Sequence, residues 1–146
     1  MSEFDEFHDE DKGEEVEEEE APTLFYGSSD EFVRERLIHM YSRRVGPGNA
    51  SFRWAADWWN YPQAVARIDA LWRAWEHLRL DGATGSSAWW IEHADHHMPI
   101  LMSTEGPFAK AQDSNKPGEP LPYTAPPEGL FPDMRDVRLE KMATAS

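Results

Sequence analysis

The sequence predicts a mainly α protein: a small three-helix domain rich in Trp, between a disordered acidic N-terminal arm and a Pro-rich extended C-terminal tail. Three observations carry this expectation. Apolar residues recur at helical spacing in three stretches between Ser28 and His97. Seven tryptophans supply much of a core, because each aromatic side chain buries roughly 150–250 Å². Charge is distributed very unevenly along the 146 residues.

Residues 1–22 hold twelve acidic groups against Lys12, a net of −11. Residues 23–109 net −2 and residues 110–146 net −1, so the chain's −14 belongs to the arm. A like-charged run of this density repels itself and buries almost nothing. It cannot offset roughly 1–2 kcal/mol per residue of backbone ordering, so the arm is expected to be disordered. It reads as a solubilising tail or, with Phe4 and Phe7 set among carboxylates, as a segment that docks on a basic partner. The absence of cysteine excludes disulfides, thiol catalysis and thiolate metal sites, and fits the cytoplasm as the expected location. No run of about 18 apolar residues is present, so no membrane association is expected. The acidic N-terminus is unlike a signal peptide. Residues 23–109 contain eight arginines and no lysine, a bias that points to a GC-rich bacterial genome.

The first helix is expected to begin near Ser28, which stands to Glu31 in the S-x-x-E relation of a capping box. Phe32, Val33, Leu37, Ile38 and Tyr41 follow at helical spacing. Arg43 and Arg44 suit its C-terminal end, and Gly46-Pro47-Gly48-Asn49 stops it. The aromatic stretch Phe52–Asn60 reads equally as a short helix or an irregular apolar loop. The second helix is expected from about Tyr61 to Leu80, capped by Asn60 with Pro62 in its first turn. Val65, Ile68, Leu71, Trp72, Trp75 and Leu78 form its apolar stripe, with Arg67, Arg73, Glu76 and Arg79 largely opposite. A third helix is expected from Ser86 or Ser87 to about His97. Pro99 bars a regular continuation, leaving Ile100-Leu101-Met102 to cover the core in extended form. Six of the eleven prolines lie between Lys110 and Pro132, which marks an extended wrap that Tyr123, Leu130 and Phe131 would pin. A weak helix is expected over 133–141.

The strings Phe32-Val33-Arg34-Glu35-Arg36-Leu37, Arg53-Trp54, Trp58-Trp59 and Ala70-Leu71-Trp72-Arg73-Ala74-Trp75-Glu76-His77-Leu78-Arg79 resemble the DUF4913 family. So do Trp89-Trp90, His93-Ala94-Asp95, His97-Met98 and Gly106-Pro107-Phe108. The resemblance covers about residues 24–110. It implies an actinobacterial protein carried on plasmids, integrative elements or phages, and no assigned activity. It also implies cysteines at the position of Ala55 and shortly after Phe108, where this chain has Ala109 and Ala111. Any Cys–His metal pairing in the family has therefore lost its thiolates here.

Among constellations that could carry chemistry, His93 and His97 stand i,i+4 on one helix face, the spacing two imidazoles need to share zinc. Asp95 or Asp57 could add a carboxylate, but a third ligand is not evident, and structural zinc wants four. Ala94 stands where a zincin would have its glutamate. The bland alternative is that these histidines bond carbonyls at the helix end. His77 reads as a buried, hydrogen-bonded histidine, or as a proton-transfer partner of Asp57 or His93. Gly82–Ser87 lacks the lysine of a P-loop and reads as a helix connection. Trp54, Trp58 and Trp59 with Arg53 have the composition of a protein-binding hot spot where they are exposed, and of a core where they are not.

The leading expectation is a non-enzymatic protein-interaction module, an accessory protein of an actinobacterial mobile element, binding an unidentified protein through Arg53, Trp54, Trp58 and Trp59, with no catalytic residues and no cofactor. A metal-dependent enzyme or metal-stabilised domain using His93 and His97, with Asp57 or His77 as a further ligand and zinc as the metal, is the second reading. A nucleic-acid-directed protein is the third, either a weak single-strand binder or an acidic mimic. The net charge disfavours direct contact with nucleic acid.

Overall fold

The computed structural model describes residues 23–135. The acidic arm and most of the expected terminal helix lie outside the described residues. Three helices form the fold, and no strand occurs among the described residues beyond an isolated parallel bridge between Val45 and Phe52.

Helix α1 is continuous from residue 29 to 40, built of Ser29–Phe32, a wider π turn Val33–Leu37, and Ile38–Met40. The Ser28 hydroxyl accepts from the Glu31 amide at 3.1 Å, as a capping box requires. The Glu31 carboxylate returns to the Gly27 amide rather than to Ser28, at 2.8 Å. In a straight helix with 3.6 residues per turn, Phe32, Val33, Leu37, Ile38 and Tyr41 would spread around more than half the circumference. The wide turn sets the later residues back, and all five become buried.

Helix α2, Pro62–Leu78, has Pro62 in its first turn, where no N–H is missed. Asn60 does not cap it; the Asn60 amide donates to Asp57 instead, at 3.0 Å. Ala64, Ile68, Leu71 and Trp72 are buried, and Val65, Trp75 and Leu78 pack half-buried beside them. Glu76 departs from expectation. It faces the core and is 8% exposed. Its carboxylate accepts from the amides of Phe25 and Tyr26, both at 2.8 Å, from the Trp72 indole at 3.2 Å and from Arg79 Nε at 3.0 Å. A buried charge is tolerated only when fully bonded in this way.

Helix α3 runs from residue 85 to 101 as Gly85–Trp89, a π turn Trp90–Ala94, and Asp95–Leu101. Gly85 marks the close approach of α2 and α3, since a Cβ there would strike the Leu78 carbonyl oxygen. The helix does not end before Pro99, and Ile100-Leu101-Met102 are not extended. A proline inside a helix costs about 3 kcal/mol. Continuing through it buries Met98, Leu101 and Met102, at roughly 1.5–3 kcal/mol each, so burial wins. The Trp89 indole donates to the Leu71 carbonyl at 3.0 Å and fastens α3 to α2.

The aromatic segment 52–60 takes the irregular form, with a short 3-10 turn at Trp58–Asn60. The Pro-rich segment is extended and lies against the helices. The Leu121 amide donates to the Ile38 carbonyl and the Thr124 amide to the Ala56 carbonyl, each at 3.1 Å. Asn115 accepts from the Val45 amide at 2.8 Å and donates to the Arg43 carbonyl at 2.9 Å. The Tyr123 hydroxyl donates to the buried Asp30 carboxylate at 2.7 Å. Burial raises the Asp30 pKa and, with the neighbouring carboxylate, pushes the Tyr123 hydroxyl up to about 12.

Removing the Glu76 carboxylate strands two buried donors, the Tyr26 amide and the Trp72 indole, and two part-buried ones. Glu76→Ala is expected to cost about 3 kcal/mol or more, which thermal unfolding would read as a fall of roughly 12 °C or more. Arg73→Ala removes the exposed Asp69 pair and a 5.8 Å contact with the Trp72 ring, and is expected to cost no more than about 1 kcal/mol.

Candidate functional site

The four residues expected at a protein-binding surface are split by the fold. Trp54 and Trp58 are both 0% exposed. Trp54 packs edge-on against Phe108 at 5.1 Å, and Trp58 lies 5.3 Å from Phe131. Their indole N–H groups have no acceptor among the described residues. Both are core and out of reach of a partner docking on this surface. Trp59 is half-buried, with its indole donating to the Thr124 carbonyl at 3.0 Å, so it binds the tail. Arg53 is half-buried and donates to the carbonyls of Gly46 and Ala50, which closes the loop before it. The cluster is structural because the tail covers it. Nothing in the local sequence marks the tail as its cover.

The histidines are placed differently from a metal centre. His93 and His97 are half-buried on α3, and His96 is exposed. The guanidinium of Arg67 lies 3.0 Å from His97 Nδ1. A guanidinium only donates, so this nitrogen serves as the acceptor. Among the described residues, no three His, Cys, Asp or Glu side chains gather closely enough to hold a metal ion. His77 is exposed and faces neither Asp57 nor His93 across the core. It follows Glu76 on α2, and it is Glu76 that turns inward.

A different arginine–aromatic cluster forms where α1, the end of α2 and the start of α3 meet. Tyr26 and Phe25, held by Glu76, pack against Trp75 at 5.1 and 5.6 Å. Arg36 on α1 lies 4.6 Å over the Trp75 ring and donates to the Tyr26 hydroxyl at 2.9 Å. Arg79 lies 5.8 Å from the Phe25 ring. Such cation–aromatic contacts contribute about 0.5–2 kcal/mol each. Between these side chains opens a cleft of about 260 Å³ lined by Arg36, Trp75, Leu78, Arg79, Ser86 and Trp89 among others. Arg79 is neutralised by Glu76, whereas Arg36 forms no ion pair among the described residues. Asp81 also lines the cleft, but its carboxylate is engaged by the Thr84 hydroxyl at 2.9 Å and by the amides of Ala83 and Thr84. Those bonds, the hydroxyl first, hold its pKa below the usual carboxylate range. Sequence reasoning missed this site because Arg36 and Trp75 are distant in the chain. The available signal was Arg36 in the turn after Phe32, on a helix that must pack against the Trp75 face.

The His97 imidazole has its pKa pushed below 6.5, first by burial, then by the charges of Arg67, His93 and His96. A depressed histidine adds stability above the ordinary histidine range and loses it as pH falls through that range. Proton NMR titration is therefore expected to place His97 below 6.5. Arg67→Gln is expected to raise it only in part, since burial remains. Thermal stability is expected to decline from pH 7.5 to pH 5 less steeply in His97→Gln than in the parent.

No helix among the described residues is long and apolar enough to cross a membrane. Neither a curated protein nor a solved structure is similar enough to add a comparison. The profile of one family, described as a domain of unknown function (DUF4913), matches residues 26–127, from Tyr26 in the aromatic cluster to the prolines of the wrapping tail. The chain belongs to the DUF4913 family.

Proposed function

We propose that the protein is a non-enzymatic protein-interaction module, an accessory protein of an actinobacterial mobile element, whose partner docks at the Arg36–Trp75 cleft. The observation that carries this reading is an arginine stacked on a half-buried tryptophan, with no carboxylate paired to it among the described residues. Tryptophan, tyrosine and arginine dominate interaction hot spots, because they combine a large apolar face with a few directed polar groups. Phe25, 54% exposed, extends the apolar rim. The cleft, at about 260 Å³, is smaller than the ~300–1,000 Å³ of ordinary small-molecule sites and suits one or two inserted side chains. The bacterial context is supported by the arginine-for-lysine bias of residues 23–109, which points to a GC-rich genome.

The test is capture from the native host with tagged full-length protein, parent beside Arg36→Gln, followed by titration of the identified partner. Arg36→Gln is expected to weaken binding by roughly 30-fold, near the ~2 kcal/mol threshold of a hot spot. Its melting temperature should fall by only several degrees, the cost of the Trp75 stack and the Tyr26 bond, so the variant stays folded at the temperature of capture. Equal capture by both proteins, or no partner for either, would overturn the reading.

A further inference from the structure

The polar groups of the Arg36–Trp75 cleft are one-sided: donors stand open and acceptors are taken. The Arg36 guanidinium lies 4.6 Å over the Trp75 ring, and its Nε donates to the Tyr26 hydroxyl at 2.9 Å. Its Nη1 and Nη2 groups have no acceptor among the described residues. The Ser86 hydroxyl lines the same cleft and likewise has no hydrogen-bond partner among the described residues. The carboxylates at hand are engaged. Asp81 takes the Thr84 hydroxyl at 2.9 Å and the amides of Ala83 and Thr84 at 3.0 and 3.3 Å. Its charge stands at the entry to α3, where helix amides favour an anion. Glu76 is filled by its four donors. Trp75 and Leu78 supply apolar surface, and Gly82 and Gly85 put no side chain into the space.

These groups restrict what can fill the cleft. An apolar side chain alone would take water from the open guanidinium N–H groups and return no acceptor, which is costly for a charged group. A cation would face Arg36 directly. A neutral amide would satisfy the hydrogen bonds and leave the charge. A carboxylate does both, because its two oxygens match the parallel N–H groups at the Nη1–Nη2 end of a guanidinium. The Trp75 ring keeps water from one face of Arg36, so such a pair is screened less than one on open surface.

We infer that the residue a partner places in this cleft is acidic. Its carboxylate pairs with Arg36, with the Ser86 hydroxyl as a further donor in the same cleft, and its apolar stem lies on Trp75 and Leu78. The inference rests on the docking reading above and names the chemistry of the anchor. It also gives specificity a sign: a basic or wholly apolar segment is refused even where its shape fits.

The probes are acetyl-glutamate methylamide and acetyl-glutamine methylamide, nearly equal in shape and different in charge. Each is titrated at matched ionic strength into the full chain labelled with ¹⁵N, and the Trp75 indole and Arg36 Nε signals are followed. The glutamate probe is expected to move both signals and to reach half-saturation at about a tenfold lower concentration than the glutamine probe. That preference should shrink severalfold between about 0.05 M and about 0.5 M salt. It should vanish in Arg36→Gln and persist in Arg73→Gln, which removes an exposed arginine from the same helix as Trp75. An unmoved Trp58 indole signal shows that the variants are folded. Equal half-saturation by the two probes, no movement with either, or a preference that survives Arg36→Gln would overturn the inference. The docking reading is scored separately, by Arg36-dependent capture of a partner. A captured partner that still binds when the acidic residues at its contact are changed to their amides keeps the docking reading and overturns the acidic anchor. A carboxylate preference at the cleft with no partner captured supports the carboxylate site and overturns the docking reading.

Discussion

Two backbone amides, an indole and a guanidinium converge on the carboxylate of Glu76, and the entry of the chain into the fold depends on that convergence. Phe25 and Tyr26 have no helical or strand partner for their N–H groups, and without Glu76 they would be unpaired next to the core. Bound to it, they lay their rings on Trp75, and Tyr26 in turn receives Arg36. The candidate binding cleft is therefore a consequence of one buried charge. Tyr26 sets the position of Arg36, Trp75 supplies the platform beneath it, and Glu76 fixes Tyr26.

The helices were legible because their causes are local. Ser28 with Glu31, Pro62 at the start of α2, and the 3.6-residue recurrence around Ile68 and Leu71 need no knowledge of the rest of the chain. What failed was set by distant contacts. Glu76 lies four residues after Trp72 and eight after Ile68, on the apolar face by spacing alone. Its charge argued for the solvent side, and only its four donors, two of them about fifty positions away, resolve the conflict. Pro99 misled for the same reason: the buried side chains at Met98, Leu101 and Met102 outweigh a local prohibition. The π turns in α1 and α3 were not foreseen. Buried pairs five residues apart, such as Phe32 with Leu37 and Trp89 with Ala94, are their signature in sequence.

The site residues followed the same division. Trp54 and Trp58 have the composition of a hot spot and the burial of a core, and the side chains that decide between them are Phe108 and Phe131, far downstream. Arginine serves two roles in this fold. Arg53 and Arg79 spend their donors on carbonyls and carboxylates and act as fasteners, whereas Arg36 and Arg43 rest on aromatic rings with no ion pair among the described residues. Lysine would not serve at the stacked positions, because its compact ammonium lacks the planar face that lies flat on a ring.

The wrapping tail also bears on how the chain reaches this state. Helical proteins usually fold fast because their contacts are close in sequence. Here Leu121 pairs with Ile38, Thr124 with Ala56, Tyr123 with Asp30 and Met134 with Gly27. These late pairings raise the contact order towards that of mixed α/β proteins, and closing each long loop precedes the reward of the contact. During synthesis the three helices emerge first, with Trp58 still lacking Phe131 and α1 still lacking its cover. The domain acquires its full set of native contacts only when the last part of the tail has left the ribosome, so a truncated or stalled chain presents tryptophans that the finished protein hides.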